Sequence, residues 1–537
     1  MNLNKRTYSI SSIIAAPWFF PLAFTLFIVW QAVGIFPLLS YEYDSNSIAF
    51  GCDYTAIAGW GTLGQYGYGY WMQPLTHALI AALKFVFHNA SASDIYTLLT
   101  AVSAIFFQYV CVVFASRLLK SSRTTALLAL VLVPESYALS MYANSMALTG
   151  ALFVWGMCFV QNRKYIPAFA LFTLAPLFRF DILLIYPTIP VMLKISGMNW
   201  RRSLIISAAF ALFLCLFTCA TYKLTGASIS TTATVYHRWE KFITHIKHYA
   251  AVFGFYGLSG LAMTVIGLIA CYRHRKWLIL LLCLTALLVV HVMFFRFGNA
   301  AKHYAMLLPF VTVLGIMALR FLRRWHPGWL RNIASGALLI SLFVGIRIKE
   351  TINVPQSYLN RYSPHLMEVN LGPSLTFVVG GGQPFITADE VMLTSGQIFY
   401  PFFIHNFKIQ DLRNQQIIAD FCRNHPQARL LCASDEERIR LQMMKLSSQI
   451  ADNPIIYDKE IEQLMQSNNA EEVQTSITKL IAEKYDNTSD LFLVQTEVTS
   501  TRWMKTLMIL QRYGSITPLA TGTSGQVPVI YHFNPNK

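Results

Sequence analysis

Charge is what this sequence has least of. Only 13% of its 537 residues are Asp, Glu, Lys or Arg, about half of what a soluble protein of this size carries. That shortage excludes a soluble globular protein, and 55% hydrophobic residues with a mean hydropathy of +0.45 point to a bilayer. Acid is scarcer still, and unevenly placed. Alternate connections between the apolar runs hold no Asp or Glu at all, only Lys5 and Arg6; Arg117, Lys120 and Arg123; Arg163 and Lys164; Lys194, Arg201 and Arg202; Arg273, Arg275 and Lys276; and Arg320, Arg323, Arg324 and Arg331. Also missing are an internal repeat and a low-complexity tract. A repeat relating two halves marks many secondary transporters, so its lack weighs against a transporter or flippase of lipid-linked sugars, the rival reading from another class. The first apolar run has no small-residue cleavage signature and reads as an uncleaved anchor.

Apolar runs of bilayer-crossing length are plentiful. They lie near 13–37, 94–116, 124–141, 144–160, 165–179, 181–193, 204–222, 249–271, 277–295, 303–321 and 332–347, about eleven crossings, the fifth and sixth short enough to be tilted or broken. The stretch 74–88 is apolar too, but it opens with Pro74 and carries Lys84 and His88. It reads as a helix lying in the interface, within a first outer loop spanning 38–93. Lys and Arg in short loops stay cytoplasmic, so the N-terminus is expected inside and the acid-bearing connections outside. The formal charge of +16 divides into +19 for residues 1–348, with 26 basic against 7 acidic side chains, and −3 for residues 349–537, with 16 against 19. The excess follows from topology and from anionic membrane lipids, and needs no nucleic acid.

Hydropathy falls after Arg347, so the expected organisation is a helical membrane domain over 1–348 and an extracytoplasmic α/β domain over 349–537. Strands are expected at 376–380, 428–432, 491–494 and 527–533, and helices at 435–448 and 470–485. The chain holds nine cysteines, of which Cys52, Cys422 and Cys432 face the outer side on this topology. Cys422 and Cys432 are either a disulfide or two thiols in the α/β domain.

The expected outer rim gathers ionisable side chains. A carboxylate at the edge of an apolar bundle costs free energy and so marks a site. The first outer loop supplies Glu42, Asp44 and Asp53, followed by the aromatic stretch that ends in Tyr70 and Trp71, suited to stacking on a sugar or to an interfacial belt. Later loops supply Glu135, then Arg179 and Asp181, then His237, Arg238, Lys241, His245 and His248, and finally Arg296, Lys302 and His303. His237, Lys241, His245 and His248 share one face if helical, but the neighbouring cations oppose a zinc ion there, and a headgroup-facing helix is the simpler reading. Arg179 and Asp181 either pair with each other at a helix break or serve an anion. Carboxylates therefore come early in the chain and cations and histidines late. If both face one cavity, they suit transfer of a sugar from a lipid phosphate, in which one carboxylate takes the proton of the attacking hydroxyl and cations stabilise the departing phosphate.

The order of these features resembles the GT-C superfamily of integral-membrane glycosyltransferases, and more narrowly the bacterial relatives of protein O-mannosyltransferase and aminoarabinose transferase. The residues that carry the resemblance are the acid-bearing first loop with Asp44, the Tyr70-Trp-Met-Gln-Pro-Leu75 segment, Val133 to Ser140 followed by Asn144, Phe178 to Pro187, and Lys302-His-Tyr304 through Pro309. It implies an α-helical polytopic fold, a bacterial inner-membrane location and a polyprenyl-phosphate-linked sugar donor. The acceptor it implies is a glycan, lipid or protein. Asp44 would be the general base, and Lys302, His303, Arg296 and Arg179 the phosphate ligands. Glu42, Asp53, Glu135, Asp181, Tyr70, Trp71, His237 and Arg238 would be secondary. Ser45 and Asn144 depart from the family pattern. Asn144 stands where an acid is expected, which bears on any divalent cation, with Glu135 as the substitute ligand. An O-antigen ligase or polymerase acting on a diphosphate-linked glycan is the alternative enzyme, for which Arg238 in the long outer loop is the cue.

Overall fold

The computed structural model describes residues 18–34, 48–49, 51–52, 55–56, 59–63, 73–88, 90, 92–133, 135–139, 144–225, 246–297 and 301–324. Beyond these it describes 328–329, 332–333, 336–337, 344–349, 367–370, 375–379, 386–387, 390–394, 417–432, 438, 441, 444–445, 450, 453–456, 491–494, 511, 515–521 and 528–534. The chain divides into two compact units, Met1–Asn353 with Arg361–Ile404, and Val354–Asn360 with His405–Lys537.

The first unit is mainly helical: α1 (Phe19–Gly34), α2 (Pro74–Val86), α3 (Ala92–Leu119), α4 (Arg123–Val131), α5 (Glu135–Ala138), α6 (Met146–Gln161), α7 (Tyr165–Phe178), α8 (Thr188–Ile195), α9 (Trp200–Thr225), α10 (Ile246–Arg273), α11 (Trp277–Phe297) and α12 (Leu308–Arg323). Among the described residues four helical stretches are long and apolar enough to cross a membrane, and five shorter apolar helices accompany them. The protein is a polytopic integral membrane protein. Helix α9 shows one lipid-facing surface in its exposed Leu204, Ile205, Leu212, Phe213 and Leu216.

Most expected spans coincide with helices, and three differ for physical reasons. The run 124–141 breaks into α4 and α5, because Pro134 has no N–H to continue the ladder. The run 181–193 is not one helix. Arg179 is extended (φ −163°, ψ 122°), a 3-10 turn follows over Phe180–Ile185, and α8 starts only after Pro187. The run 332–347 ends in a strand, β1 (Val344–Lys349), where Val344, Ile346 and Ile348 alternate with Gly345, Arg347 and Lys349.

Close packing and a few polar ties hold the helices. A Cβ on Gly267 of α10 would run into the Leu314 carbonyl of α12, so the two backbones meet where only glycine fits. Gln31 of α1 and Gln108 of α3 exchange amide hydrogen bonds of 3.0 and 2.9 Å, and Gln108 Nε2 also donates to the Ser136 carbonyl of α5 at 2.6 Å. Four helix ends close with the same pair of backbone bonds, an i to i−5 bond over an i to i−3 bond. The left-handed residue in these turns is Gly197 after α8, but Lys120, Arg163 and Arg275 after α3, α6 and α10. Arg163 Nε reaches across to the Ser196 carbonyl, and Arg320 donates to the Leu119 and Lys120 carbonyls.

The first unit also holds an antiparallel sheet, in the order β2 (Met367–Asn370), β3 (Leu375–Val379), β1, β5 (Glu390–Thr394), β4 (Ile386–Thr387). The second unit is a small α/β body. Its sheet runs β7 (Ile455–Ile456), β6 (Arg429–Leu431), β8 (Leu491–Val494), β10 (Pro528–Asn534), β9 (Ser515–Thr521), with β6 parallel to both neighbours and β10 antiparallel to its own. A helix over 417–424 covers it through Ile418 and Cys422, packed with Leu430, Phe492, Val494 and Ile530. The expected strands at 376–380, 428–432, 491–494 and 527–533 correspond to β3, β6, β8 and β10. Of the expected helix 435–448, residues 438, 441, 444 and 445 are helical. The expected helix 470–485 lies outside the described residues. Cys422 and Cys432 are buried thiols and form no disulfide.

Candidate functional site

Two irregular turns, far apart in sequence, carry the site. The first follows α7, whose C-terminal carbonyls need partners once the ladder stops. Thr76 Oγ1 of α2 donates to the Phe178 carbonyl at 2.7 Å and so caps that end. The chain then swings out at Arg179 and folds into the 3-10 turn with Asp181. The second is the 3-10 turn Ala301–Leu307, which leads into α12 with Pro309 in its first helical turn. The two turns pack on each other, and α5 and α6 pack on the second.

Their side chains meet in a buried ionic cluster. Arg179 Nε and Nη2 donate to Asp181 Oδ2 at 3.0 and 2.9 Å, and His303 Nδ1 lies 3.1 Å from that same oxygen and 3.1 Å from Arg179 Nη2. Arg179 and Asp181 are only 5% and 9% exposed, which makes the pairing obligatory, since a lone buried guanidinium would cost several kcal/mol. Burial pushes the Asp181 carboxyl up, but the Arg179 charge and the His303 contact outweigh it and hold the group below the usual carboxylate range. A guanidinium only donates and a carboxylate only accepts, so Nδ1 cannot serve both neighbours in one tautomer. With His303 neutral the cluster carries no net charge, and with His303 protonated it carries +1.

Arg179, Asp181 and His303 are thus brought together by the fold. Glu135 is 3% exposed on α5, the short helix that packs on the second turn. Lys302 lies in the backbone of that turn and Arg296 in the last turn of α11, and their side chains are outside the description. Glu42, Asp44, Asp53, Tyr70, Trp71, His237 and Arg238 lie outside the described residues. Asn144, where the family pattern has an acid, serves the backbone. Its Oδ1 accepts from the Met146 and Ala147 N–H groups, and its Nδ2 donates to the Leu139 carbonyl. Among the described residues no three potential metal ligands gather.

Sequence reasoning named Tyr304 in the second turn but missed what stands behind it, Phe255 and His291. Tyr304 is fully buried and packs against Phe255 and His291, with ring centroids 6.1 and 5.1 Å apart. The only signal was a lone histidine inside the apolar run 277–295.

No family model matches the chain, and no curated protein matches it in sequence. Solved structures do match. The chain is similar to ArnT, an aminoarabinose transferase, from Cupriavidus metallidurans, in a crystal structure bound to undecaprenyl phosphate, with a TM-score of 0.57 over 97% of this chain and 98% of that one at 11% identity. The chain has the GT-C fold. The apo structure of the same ArnT gives a TM-score of 0.56 over the same shares at 12% identity. At such identity the likeness to a GT-C protein is one of architecture.

Proposed function

We propose that this protein is a glycosyltransferase that moves a sugar from a polyprenyl-phosphate donor to an acceptor at the outer face of the membrane. The observation that carries the reading is the meeting of Arg179, Asp181 and His303, from turns 122 residues apart, within a fold shared over 97% of the chain with a protein that binds undecaprenyl phosphate. Asp44 takes the proton of the acceptor hydroxyl as its oxygen attacks the anomeric carbon. The bond from that carbon to the phosphate oxygen breaks, the configuration inverts, and polyprenyl phosphate departs. Lys302, His303, Arg296 and Arg179 balance the charge that builds on it. Asp181 keeps Arg179 neutralised while the site is empty, and the incoming phosphate competes for the guanidinium.

What supports the reading is that Thr76 of α2 caps the helix end before Arg179 and that α5, with its buried Glu135, packs on the second turn. The acceptor is a glycan, lipid or protein, and the location a bacterial inner membrane with a periplasmic C-terminal region. The test is Asp44→Asn, purified and assayed with a labelled polyprenyl-phosphate sugar. A folded variant whose transfer falls by about 10²-fold or more is expected of a lost general base. Unchanged turnover removes Asp44 from the mechanism.

A further inference from the structure

Helix α10 breaks at Gly257, whose backbone (φ 56°, ψ −178°) lies in a region that side-chain-bearing residues rarely enter. The break stands next to Tyr256, a buried residue whose Oη lies 2.8 Å from Nε2 of His291 on α11. The two rings also stack, 5.6 Å between centroids at 19°. An ionisable side chain within an apolar membrane helix is costly unless it serves a purpose, and His291 is one. The third party is Tyr304, which lies against His291 and belongs to the same 3-10 turn as Lys302 and His303. That turn is thus gripped on two sides, by the ionic cluster at His303 and by the aromatic pair at Tyr304.

We propose that Tyr256 and His291 are positioning residues that fix the Ala301–Leu307 turn and thereby set the protein's affinity for a polyprenyl phosphate. The inference rests on the donor-binding reading above. A 3-10 turn has poor internal hydrogen bonds and depends on what packs against it. The Tyr256–His291 bond fixes the plane of the imidazole, and the imidazole fixes Tyr304. One step further along the turn, His303 meets Asp181 and Arg179, so a tilt of the turn would open those 3.1 Å contacts. The strained backbone at Gly257 is the local cost of bringing Tyr256 to His291.

Direct binding of undecaprenyl phosphate to the detergent-purified full chain tests this, with thermal unfolding recorded on every variant. Tyr256→Phe removes one hydroxyl, and His291→Phe keeps a ring but loses the polar partner. Each is expected to weaken binding about three- to tenfold, the effect of one lost neutral hydrogen bond. The double variant should be no weaker than the singles, since both remove the same bond. Lys302→Ala serves as the control for the underlying reading. If it loses affinity while both Phe variants bind like the parent protein, the positioning role is overturned and donor binding stands. A loss in His291→Phe while Tyr256→Phe, which keeps both rings and removes only the hydroxyl, binds like the parent protein also overturns it, because ring packing and not the hydrogen bond would then explain the effect. If Lys302→Ala binds undecaprenyl phosphate unchanged, the donor-binding reading fails and this inference falls with it.

Discussion

Replacing Asp181 by Asn separates the resting role of the ionic cluster from its role with ligand. The carboxylate accepts two hydrogen bonds from Arg179 and lies against His303, with all three side chains largely buried. At a charge separation of about 4 Å and an effective dielectric near 20, the Arg179–Asp181 attraction is about 4 kcal/mol. Asn keeps one acceptor oxygen but no charge, so the variant should lose about 3 kcal/mol, close to the cost of breaking a buried pair by removing one partner. Thermal unfolding can be followed with a thiol-reactive dye, as the rise above the signal of the exposed Cys215 and Cys219, because Cys111, Cys158, Cys271 and Cys283 are buried and are uncovered on opening. Undecaprenyl phosphate should then stabilise Asp181→Asn more than the parent protein, as the phosphate takes the vacated place beside Arg179. A variant as stable as the parent refutes the pairing argument. Equal stabilisation of both by the ligand refutes the exchange of carboxylate for phosphate. The same cluster sets an acid limit. The folded Asp181 carboxyl is held below its unfolded value of about 3.9, so its contribution is complete above that pH and is lost as pH falls through the folded value. Stability from this pair should be flat from about pH 5 upward and decline only below about pH 4.

Other outcomes follow from single positions. Gly267→Leu should prevent α10 and α12 from meeting at the Leu314 carbonyl, giving little folded protein by size-exclusion chromatography; a monodisperse variant of normal stability would contradict that close approach. Burial pushes the Cys422 thiol up to about 11, so it should resist maleimide at pH 8 in the native protein and label readily in denaturant. Cys422→Ala combined with Cys432→Ala should show the same non-reducing gel mobility as the parent chain, since no disulfide joins the two. Thr76→Val should loosen the cap on the Phe178 carbonyl and destabilise the protein by about 1 kcal/mol, with Thr76→Ser close to the parent in the same unfolding assay.

Much of the architecture was legible because membrane helices announce themselves by length and hydropathy. The runs at 94–116 and 303–321 fall within helical segments that are long and apolar enough to span, and those at 204–222 and 249–271 overlap two more. The misplaced end of the 332–347 run, where 344–347 belong to β1, came from averaging hydropathy over a window. The alternation of Val344, Ile346 and Ile348 with Gly345, Arg347 and Lys349 carried the strand signal, and a window of span length erases a period of two. At the site, Arg179 and Asp181 could be paired from their spacing at a helix break. Their meeting with His303 could not, since it depends on how turns on either side of α8 to α11 come together. Tyr256 and His291 were less legible still. Each is a polar-tipped ring in an apolar run, and only coordinates reveal that the tips face each other.

The three cationic turns have a consequence for how the chain enters the bilayer. Lys120, Arg163 and Arg275 each hold a left-handed backbone that costs a side-chain-bearing residue about 1 kcal/mol and that glycine would adopt freely, as Gly197 does in the matching turn. Keeping the cation there makes sense if the charge matters during biogenesis, when each emerging hairpin commits to one side of the membrane. Substituting glycine at all three should therefore yield a hardier mature protein and a larger fraction of chains inserted upside down, so that accurate insertion and final stability pull these positions in opposite directions.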